Sequence, residues 1–282
     1  MRACRSALVV ALLCPGGAAP AVAQDQGPQD PASASEVARE LSNPVGSLAS
    51  LNLQVNYNRW DGSIPGAGDQ STGSIVFLPV LPFKVGTGNL AVRPSFPVAG
   101  VPIRDPATGD WEKEWGLGDI VVLTNWGRKE SSGLLWGLGG TFVLPTASND
   151  YVGQGQWQLG PSALLGILKD WGVMGALWQH WWGLKSRDGE EKANKGTLQL
   201  FYWFSLPGGW QVGGSPIPTA NYLSVETEFT VPVNLGVAKT FIIGQMPLKT
   251  TLQGQYFLTR PEEVGPSWGV LLQVTPVVKV PW

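Results

Sequence analysis

The sequence predicts an all-β protein, namely a single up-and-down transmembrane β-barrel of about twelve antiparallel strands with short periplasmic turns and longer external loops. Three observations predict this fold: the composition, the alternation of apolar and polar residues, and the alternation of long and short connections. The 282 residues include 37 glycines and 23 prolines, which disfavour helices, and only 14% are charged. Tryptophan, with 14 residues, makes up half of the aromatic side chains and favours boundaries between apolar and wet regions.

The first predicted strand shows the alternation. Residues 51–58, LNLQVNYN, place apolar side chains on one face and amide side chains on the other. In a soluble β-sandwich the apolar face would turn inward, whereas in a membrane barrel it would turn outward. This strand alone leaves both folds open.

The connections favour the barrel. Strands are predicted at 48–58, 73–84, 88–97, 117–127, 133–144, 156–169, 172–183, 197–206, 209–216, 229–239, 246–258 and 268–282. Long, polar or Gly/Pro-rich connections at 59–72, 98–116, 145–155, 184–196, 217–228 and 259–267 alternate with short ones, as external loops and periplasmic turns do. Prolines inside these strands count against them, because proline cannot donate to a ladder; they lie at 79, 82, 94, 97, 161, 232 and 276.

The N-terminal part predicts export. Residues 1–23 have the basic start, the apolar stretch and the small-residue cleavage site of a secretory signal peptide. Both cysteines lie in this segment, so the exported chain is expected to lack disulfides, and a lipid anchor on Cys14 remains the alternative. No later stretch is long and apolar enough for a transmembrane helix. Export then leaves a periplasmic or secreted protein, or a barrel in the bacterial outer membrane of a Gram-negative cell.

Residues 24–47 form a polar leader before the barrel, which is assigned to residues 48–282. Ser33 and Glu36 have capping-box spacing before a short helical stretch that ends ahead of Asn43-Pro44. Two interpretations stay open for this segment. It is either a solvated periplasmic leader or a plug or collar at the mouth of the barrel.

The last predicted strand and several shorter motifs resemble known outer-membrane barrels. Val278, Val280 and the terminal Trp282 share one apolar face and resemble an assembly signal, which implies the barrel assembly machinery and outer-membrane lipids as partners. Further matching stretches are Asn43-Pro44-Val45, 116–120 (GLGDI), 133–139 (GLLWGLG), 144–147 (LPTA), 231–237 (VPVNLGV) and 265–269 (GPSWG). Together they resemble a family of bacterial outer-membrane transporters, loosely named for a link to phenol degradation and often mislabelled neuromedin U. The resemblance implies a barrel and the outer membrane, but no particular solute.

The sequence offers no catalytic constellation, no metal site and no cofactor site. A net charge of −2 without a basic run disfavours nucleic-acid binding. One histidine, His180, is too few for a His-rich zinc site. It could serve a serine as general base in a lipid-modifying enzyme, but no serine motif accompanies it, and an imidazole in an aromatic belt or polar wall is the favoured interpretation. Strand parity directs either Gln179 or His180 inward, and the sequence does not decide which.

The polar parity of the strands predicts the lining of the pore. It consists mainly of amides, with few charges: Asn52, Gln54, Asn56, Arg93, Asp119, Asn125, Gln158, Gln199, Asn234, Lys249, Gln253, Gln255 and Gln273. The tryptophans near strand ends are expected to form interfacial girdles, at positions 126, 136, 157, 178, 181, 182, 203, 210, 268 and 282.

These features predict an outer-membrane channel or transporter for passive diffusion of small molecules. Aromatic or weakly polar solutes suit a narrow, amide-lined bore, while Arg93 with Lys249 would prefer anions. A non-conducting structural or surface-binding barrel is the main alternative. The solute and the oligomeric state are not determined by the sequence.

Overall fold

The computed structural model describes residues 34–185, 191–222 and 227–279. The predicted signal peptide, together with Val280 and Trp282 of the predicted assembly signal, lies outside these residues. The only α-helix in the described ranges, α1 (Ala34–Glu40), has seven residues. None of the helices in these ranges has the length and hydropathy needed to cross a bilayer.

The described part of the chain contains fourteen β-strands. Their bounds are β1 (Ala49–Asp61), β2 (Ser71–Val85), β3 (Gly88–Arg104), β4 (Trp111–Leu117), β5 (Ile120–Lys129), β6 (Leu134–Leu144), β7 (Gln158–Lys169), β8 (Gly172–Gly183), β9 (Asn194–Leu206), β10 (Trp210–Gly214), β11 (Thr219–Tyr222), β12 (Thr227–Ile243), β13 (Met246–Thr259) and β14 (Gly265–Val278). Short 3₁₀ turns lie at Ala67–Asp69 and Pro207–Gly209.

These fourteen strands make a closed barrel of twelve. Every pairing is antiparallel, and β14 pairs with β1 to close the sheet. Two of the twelve barrel strands are interrupted. The first consists of β4 and β5, which both pair with β3, and the second of β10 and β11, which both pair with β9 and β12. The predicted twelve-stranded, up-and-down antiparallel barrel is therefore confirmed.

Two connections differ from the predicted loops. The range 98–116 contains the end of β3 and most of β4, which pair as a hairpin from Val98 and Leu117 to Arg104 and Trp111. The range 217–228 contains β11 and the start of β12. Both stretches lack the apolar alternation of the other strands. Their sequences therefore look like loops, although the backbone pairs in a ladder.

The prolines that counted against the strands lie within them, often where a ladder is interrupted. Pro79 and Pro94 lie in the part of the β2–β3 ladder between Phe77 and Leu81 where no pairs form. Pro161 lies in a similar gap between β7 and β8, and Pro232 lies at a register shift between β12 and β13. Since a gap or bulge does not need every N–H, these strands tolerate proline.

The two ends of the barrel differ. The end that we call the turn end carries the five short connections, at 86–87, 130–133, 170–171, 207–209 and 244–245, together with α1. Gly86 and Gly244 have φ angles of 59° and 62°, which the two-residue hairpin turns at these positions require. The opposite end, called the loop end, carries the longer connections. The first residue of β1, Ala49, and the last residue of β14, Val278, also lie at the turn end.

Gly160 lies in the gap of the β7–β8 ladder, where the backbone leaves no space for a side chain. A Cβ atom at Gly160 would lie 1.7 Å from the backbone oxygen of His180, whereas a Cβ at Gly254 would have its nearest neighbour, the oxygen of Leu235, at 3.9 Å. Gly160→Ala should therefore destabilise the folded barrel by about 1–3 kcal/mol, as overpacking does. Gly254→Ala is the matched control and should leave the stability of the barrel unchanged. Urea unfolding in detergent measures both variants, and equal midpoints would contradict the prediction.

Candidate functional site: the barrel interior

The polar side chains predicted to line a pore lie on the inner side of the sheet or at its rim. Twelve of the thirteen are buried: Asn52, Gln54, Asn56, Arg93, Asp119, Asn125, Gln158, Gln199, Asn234, Lys249, Gln253 and Gln273. Gln255, nearer the loop end, is half-buried. Apolar neighbours on the same strands are exposed, with Leu53 at 44%, Val55 at 45% and Val270 at 39%. The barrel therefore has its polar side chains inside and its apolar side chains outside.

An amide network covers the inner wall formed by β1 and β14. Gln54 donates to the Oε1 atom of Gln273 at 3.0 Å, and Gln273 donates to the Oδ1 atom of Asn52 at 3.0 Å. Thr275 donates to the same Asn52 oxygen at 2.8 Å, while Asn52 donates to the backbone oxygen of Leu78. Networks of this kind hold amide side chains against the wall in one arrangement.

Several inward polar atoms have no protein partner. They are the Oε1 atom of Gln54, the Oδ1 atoms of Asn56, Asn125 and Asn234, and the Nε2 atom of Gln199. Buried polar atoms are nearly always hydrogen-bonded, because an unmet group loses its solvation without compensation. Polar atoms without a protein partner are therefore concentrated on the inner wall.

The opposite inner wall is apolar near the turn end, which corrects the expectation of an amide-lined interior. The cluster that we call the inner apolar cluster consists of Val45, Leu123, Leu135, Leu164, Leu168, Val173, Leu177, Phe201, Trp203 and Ala238. Sequence reasoning missed it because only polar positions were assigned to the interior. The available signal was in β5 to β9, where long apolar side chains occupy both faces of the strands.

The leader packs across the turn end of the barrel. The Oγ atom of Ser35 accepts a hydrogen bond from the backbone N–H of Gly209, and Arg39 pairs with Asp170 in the turn between β7 and β8 at 2.6 Å. Val37 and Leu41 are buried with Leu48, and Ile242 and Val277 pack against them. Of the two interpretations of this segment, the geometry is that of a plug at one mouth of the barrel.

Beyond α1, residues 42–45 lie inside the barrel. The guanidinium of Arg93 donates to the backbone oxygen of Pro44 at 2.6 Å, and Asn89 donates to that of Val45 at 3.0 Å. The ammonium of Lys249 donates to the hydroxyl of Ser42 at 3.3 Å. Val45 inserts into the inner apolar cluster. This segment narrows the interior at the turn end.

Two carboxyl groups outside the barrel wall have shifted pKa values. Burial raises the pKa of Glu40, at the end of α1, above its usual range. Hydrogen bonds from Trp136 and Arg128 lower the pKa of Glu130, in the turn between β5 and β6. Glu130 therefore helps to anchor an outer tryptophan at the turn end.

A second segment enters the interior from the interrupted strand formed by β10 and β11. Its backbone remains attached to β9, since Leu198 and Leu200 donate to the oxygens of Pro218 and Pro216 at 3.0 and 2.9 Å. Ile217 packs against Val76, Leu78 and Leu271, which lie on β2 and β14. Because β2 is far from this segment in the strand order, Ile217 reaches across the interior.

The structure shows which of Gln179 and His180 points into the barrel. Gln179 points inward, is fully buried and accepts a hydrogen bond from Thr141 at 2.9 Å. His180 points outward, where its ring lies 4.4 Å from that of Trp182 and 5.5 Å from that of Tyr222. Its Nε2 atom lies 2.8 Å from the Oδ1 atom of Asn194. These contacts place His180 in an outward-facing aromatic cluster.

The tryptophans form two outer belts, with exceptions. At the turn end the outward rings include Trp126, Trp136, Trp171 and Trp210, and at the loop end they include Trp115, Trp157, Trp182 and Trp268. Trp181 and Trp203 point inward and are buried, so their predicted place in a girdle is wrong. Their neighbours along the strand are also aromatic, which left the parity ambiguous. Trp282 lies outside the described residues.

Asp119 holds a loop rather than facing the open interior. It lies in the break between β4 and β5 and accepts hydrogen bonds from the backbone N–H groups of Ala147, Gln154 and Gly155 at 3.1, 2.7 and 3.1 Å. A carboxylate that accepts three N–H groups is a strong anchor. In the described ranges, no group of three or more His, Cys, Asp or Glu side chains has the arrangement of a metal site.

Comparisons with known proteins support the fold. No protein-family model matches the chain, and no curated protein does. Among solved structures, an outer membrane channel from Pseudomonas putida F1 is similar, with a TM-score of 0.60 and 13% identity over 82% of this chain and 96% of that one. The beta domain of the Bordetella autotransporter BrkA aligns with a TM-score of 0.43 and 12% identity, over 81% and 99% of the chains. At 13% identity the likeness to the Pseudomonas channel shows a shared barrel fold, and membership in the transporter family stays a prediction.

The contacts of Asp119 predict a local effect. Asp119→Asn should weaken the hydrogen bonds to Gln154 and Gly155, which are worth about 1.5–3 kcal/mol when the acceptor is charged. Amide hydrogen exchange at these two residues should therefore become about tenfold faster or more. Asp110→Asn, at an exposed position in the β3–β4 hairpin, is the control. Unchanged exchange in Asp119→Asn would show that the carboxylate does not anchor the loop.

Proposed function

We propose that this protein is an outer-membrane barrel that lets small molecules pass by passive diffusion. The observation that carries the proposal is the polarity of the wall, which is apolar outside and polar inside. An exposed apolar surface around the whole barrel would aggregate in water, whereas hydrocarbon accommodates it. The amide-rich interior suits polar or weakly polar solutes.

The spacing of the two aromatic belts supports a membrane location. Trp171 and Trp182 lie at opposite ends of β8, eleven residues apart. At about 3.3 Å per residue and a tilt of about 40°, this separation is about 28 Å along the barrel axis. An apolar band about 25 Å tall between aromatic girdles is typical of outer-membrane barrels. The aromatic rings would then lie in the two headgroup layers.

The proposed orientation places the turn end in the periplasm and the loop end outside the cell. Short periplasmic turns and long external loops are the usual arrangement of such barrels. The signal peptide predicted at residues 1–23 would export the chain, and the C-terminal strand would direct it to the barrel assembly machinery. Outer-membrane lipids are then its partners at the outer surface.

The interior would select solutes by size and polarity. Residues 42–45 at the turn end and Ile217 further in both narrow the space, so passage would require a small solute or movement of the leader. The leader is held by hydrogen bonds, by the exposed ion pair of Arg39 with Asp170, and by the buried side chains of Val37, Leu41 and Val45. Exposed ion pairs contribute little to stability, so displacement of the leader mainly requires that its hydrogen bonds and buried apolar contacts be replaced by contacts with a solute.

The same two segments favour a second function, a non-conducting structural or surface-binding barrel. If the leader never leaves the interior, the loops at the loop end would carry the activity. The enzymatic alternative gains no support, since the described contacts of His180 are aromatic rings and an amide. Conductance separates the two remaining functions.

Membrane embedding can be tested by placing one charge at two depths. Leu138 lies near the middle of β6 and is 63% exposed, whereas Leu206 is the last residue of β9 and is 46% exposed. In phospholipid vesicles Leu138→Arg should cost about 2–4 kcal/mol of unfolding free energy, and Leu206→Arg about 0–1 kcal/mol. Equal costs at the two positions would argue against a bilayer around the barrel.

Passage can be tested by loosening the leader. The double variant Leu41→Ser and Val45→Ser removes one buried side chain of the leader from each apolar cluster, so the conductance of single barrels in planar bilayers should rise severalfold over the wild type. Val85→Ser, on an exposed side chain at the turn end, is the control and should behave like the wild type. If the wild type, the double variant and the control all fold but do not conduct, the result supports the non-conducting function.

A further inference from the structure

Two of the buried cations inside the barrel, Arg93 and Lys249, have no counter-ion among the residues that the structure describes. Arg93 on β3 and Lys249 on β13 are each only 6% exposed. Neither forms an ion pair with a carboxylate of the described residues. The Nε atom of Arg93 has no hydrogen-bond partner at all. Buried charges are normally paired, so these two groups are suited to an anion that the chain itself does not supply.

Both cations border the inner apolar cluster. Arg93 stands directly opposite Leu123, a member of the cluster, in the β3–β5 ladder. The ammonium of Lys249 lies 5.4 Å from the ring of Trp203, another member. A molecule bound beside either cation would therefore contact both a positive group and the inner apolar cluster.

The leader occupies this place with groups that imitate such a molecule. The backbone oxygen of Pro44 accepts from Arg93, the hydroxyl of Ser42 accepts from Lys249, and the side chain of Val45 fills the apolar cluster. At either cation a carboxylate oxygen would accept this hydrogen bond with a full negative charge, and charge-assisted bonds are about twice as strong as neutral ones.

We propose that Arg93, Lys249 and the inner apolar cluster form a binding site for small amphipathic carboxylates, which displace residues 42–45 of the leader. The carboxylate takes a hydrogen bond that Pro44 or Ser42 accepts, and an aromatic or short aliphatic group takes the place of Val45. This inference rests on the proposed function and names the class of solute that the interior selects.

The arrangement favours this class over other solutes. A neutral aromatic molecule would fill the apolar cluster but would leave both cations unpaired, and an organic cation would be repelled by them. A bare inorganic anion would pair with the cations but would leave the place of Val45 open. Only a molecule with both parts pairs with a cation and also fills the place of Val45.

The test compares three ligands of one shape. Phenylacetate, its neutral amide and 2-phenylethylamine are added to the full-length barrel in lipid nanodiscs, and binding is measured by saturation-transfer NMR. Acetate and inorganic phosphate are included as anions without an apolar group. Phenylacetate should bind at least about tenfold more tightly than each of the other four, because it alone meets both parts of the site.

Two variants locate the binding. Lys249→Met and Arg93→Gln should each weaken phenylacetate binding by about tenfold or more and leave the amide unaffected. Lys249→Arg keeps the charge and should retain most of the affinity. Lys239→Met is the matched control, because Lys239 is a strand cation on the outer face near Trp210. Equal binding of the acid and the amide to the wild type would overturn the proposal.

A third variant avoids removing a buried cation. Ser42→Asp places a carboxylate beside Lys249, so it should occupy the site and weaken phenylacetate binding, whereas Ser42→Asn should not. Unchanged binding in Ser42→Asp would also overturn the proposal. Because NMR binding does not require conductance, its outcome is independent of the bilayer recordings. A conducting barrel without carboxylate preference would refute this site and leave the channel intact.

Discussion

Closure of the sheet is the constraint on which the rest of this structure depends. An apolar outer surface excludes water from the backbone, so each strand must find its hydrogen-bond partners within the sheet. The pairing of β1 with β14 removes the two edges that an open sheet would leave. Once the wall is closed, the alternation of side chains forces every second residue into a limited interior. The amide network, the inner apolar cluster and the two buried cations are all consequences of that enclosure.

The interior is divided rather than uniform, and this division has functional consequences. Amides cover the wall near β1 and β14, while apolar side chains cover the wall between β5 and β9 near the turn end. The leader lies between them and satisfies groups on both sides. A chain segment that binds through a backbone oxygen, a hydroxyl and one valine can be replaced by a small solute with the same groups. Under this proposal the leader occupies the carboxylate site when no solute is bound, and the solute replaces the leader there.

Much of the wall could be predicted from the sequence, and the contents of the barrel could not. Residues 51–58 show the alternation plainly, so the inward direction of Asn52 and Gln54 followed from parity. At Gln179 and His180 the aromatic neighbours on both sides hid the parity. Trp181 and Trp203 were assigned to the outer belts for the same reason. The β3–β4 hairpin lacks a clear alternation in its sequence, so a loop was predicted there.

The sequence by itself determined the twelve-stranded barrel, because side-chain alternation and the lengths of the connections are local properties. Only the tertiary structure decided what fills the interior. The contacts of Arg93 with Pro44, of Lys249 with Ser42, and of Ile217 with β2 join residues that are far apart in the chain, 49, 207 and more than 100 positions. Such contacts depend on which strands face each other across the closed sheet, and no local pattern records that arrangement.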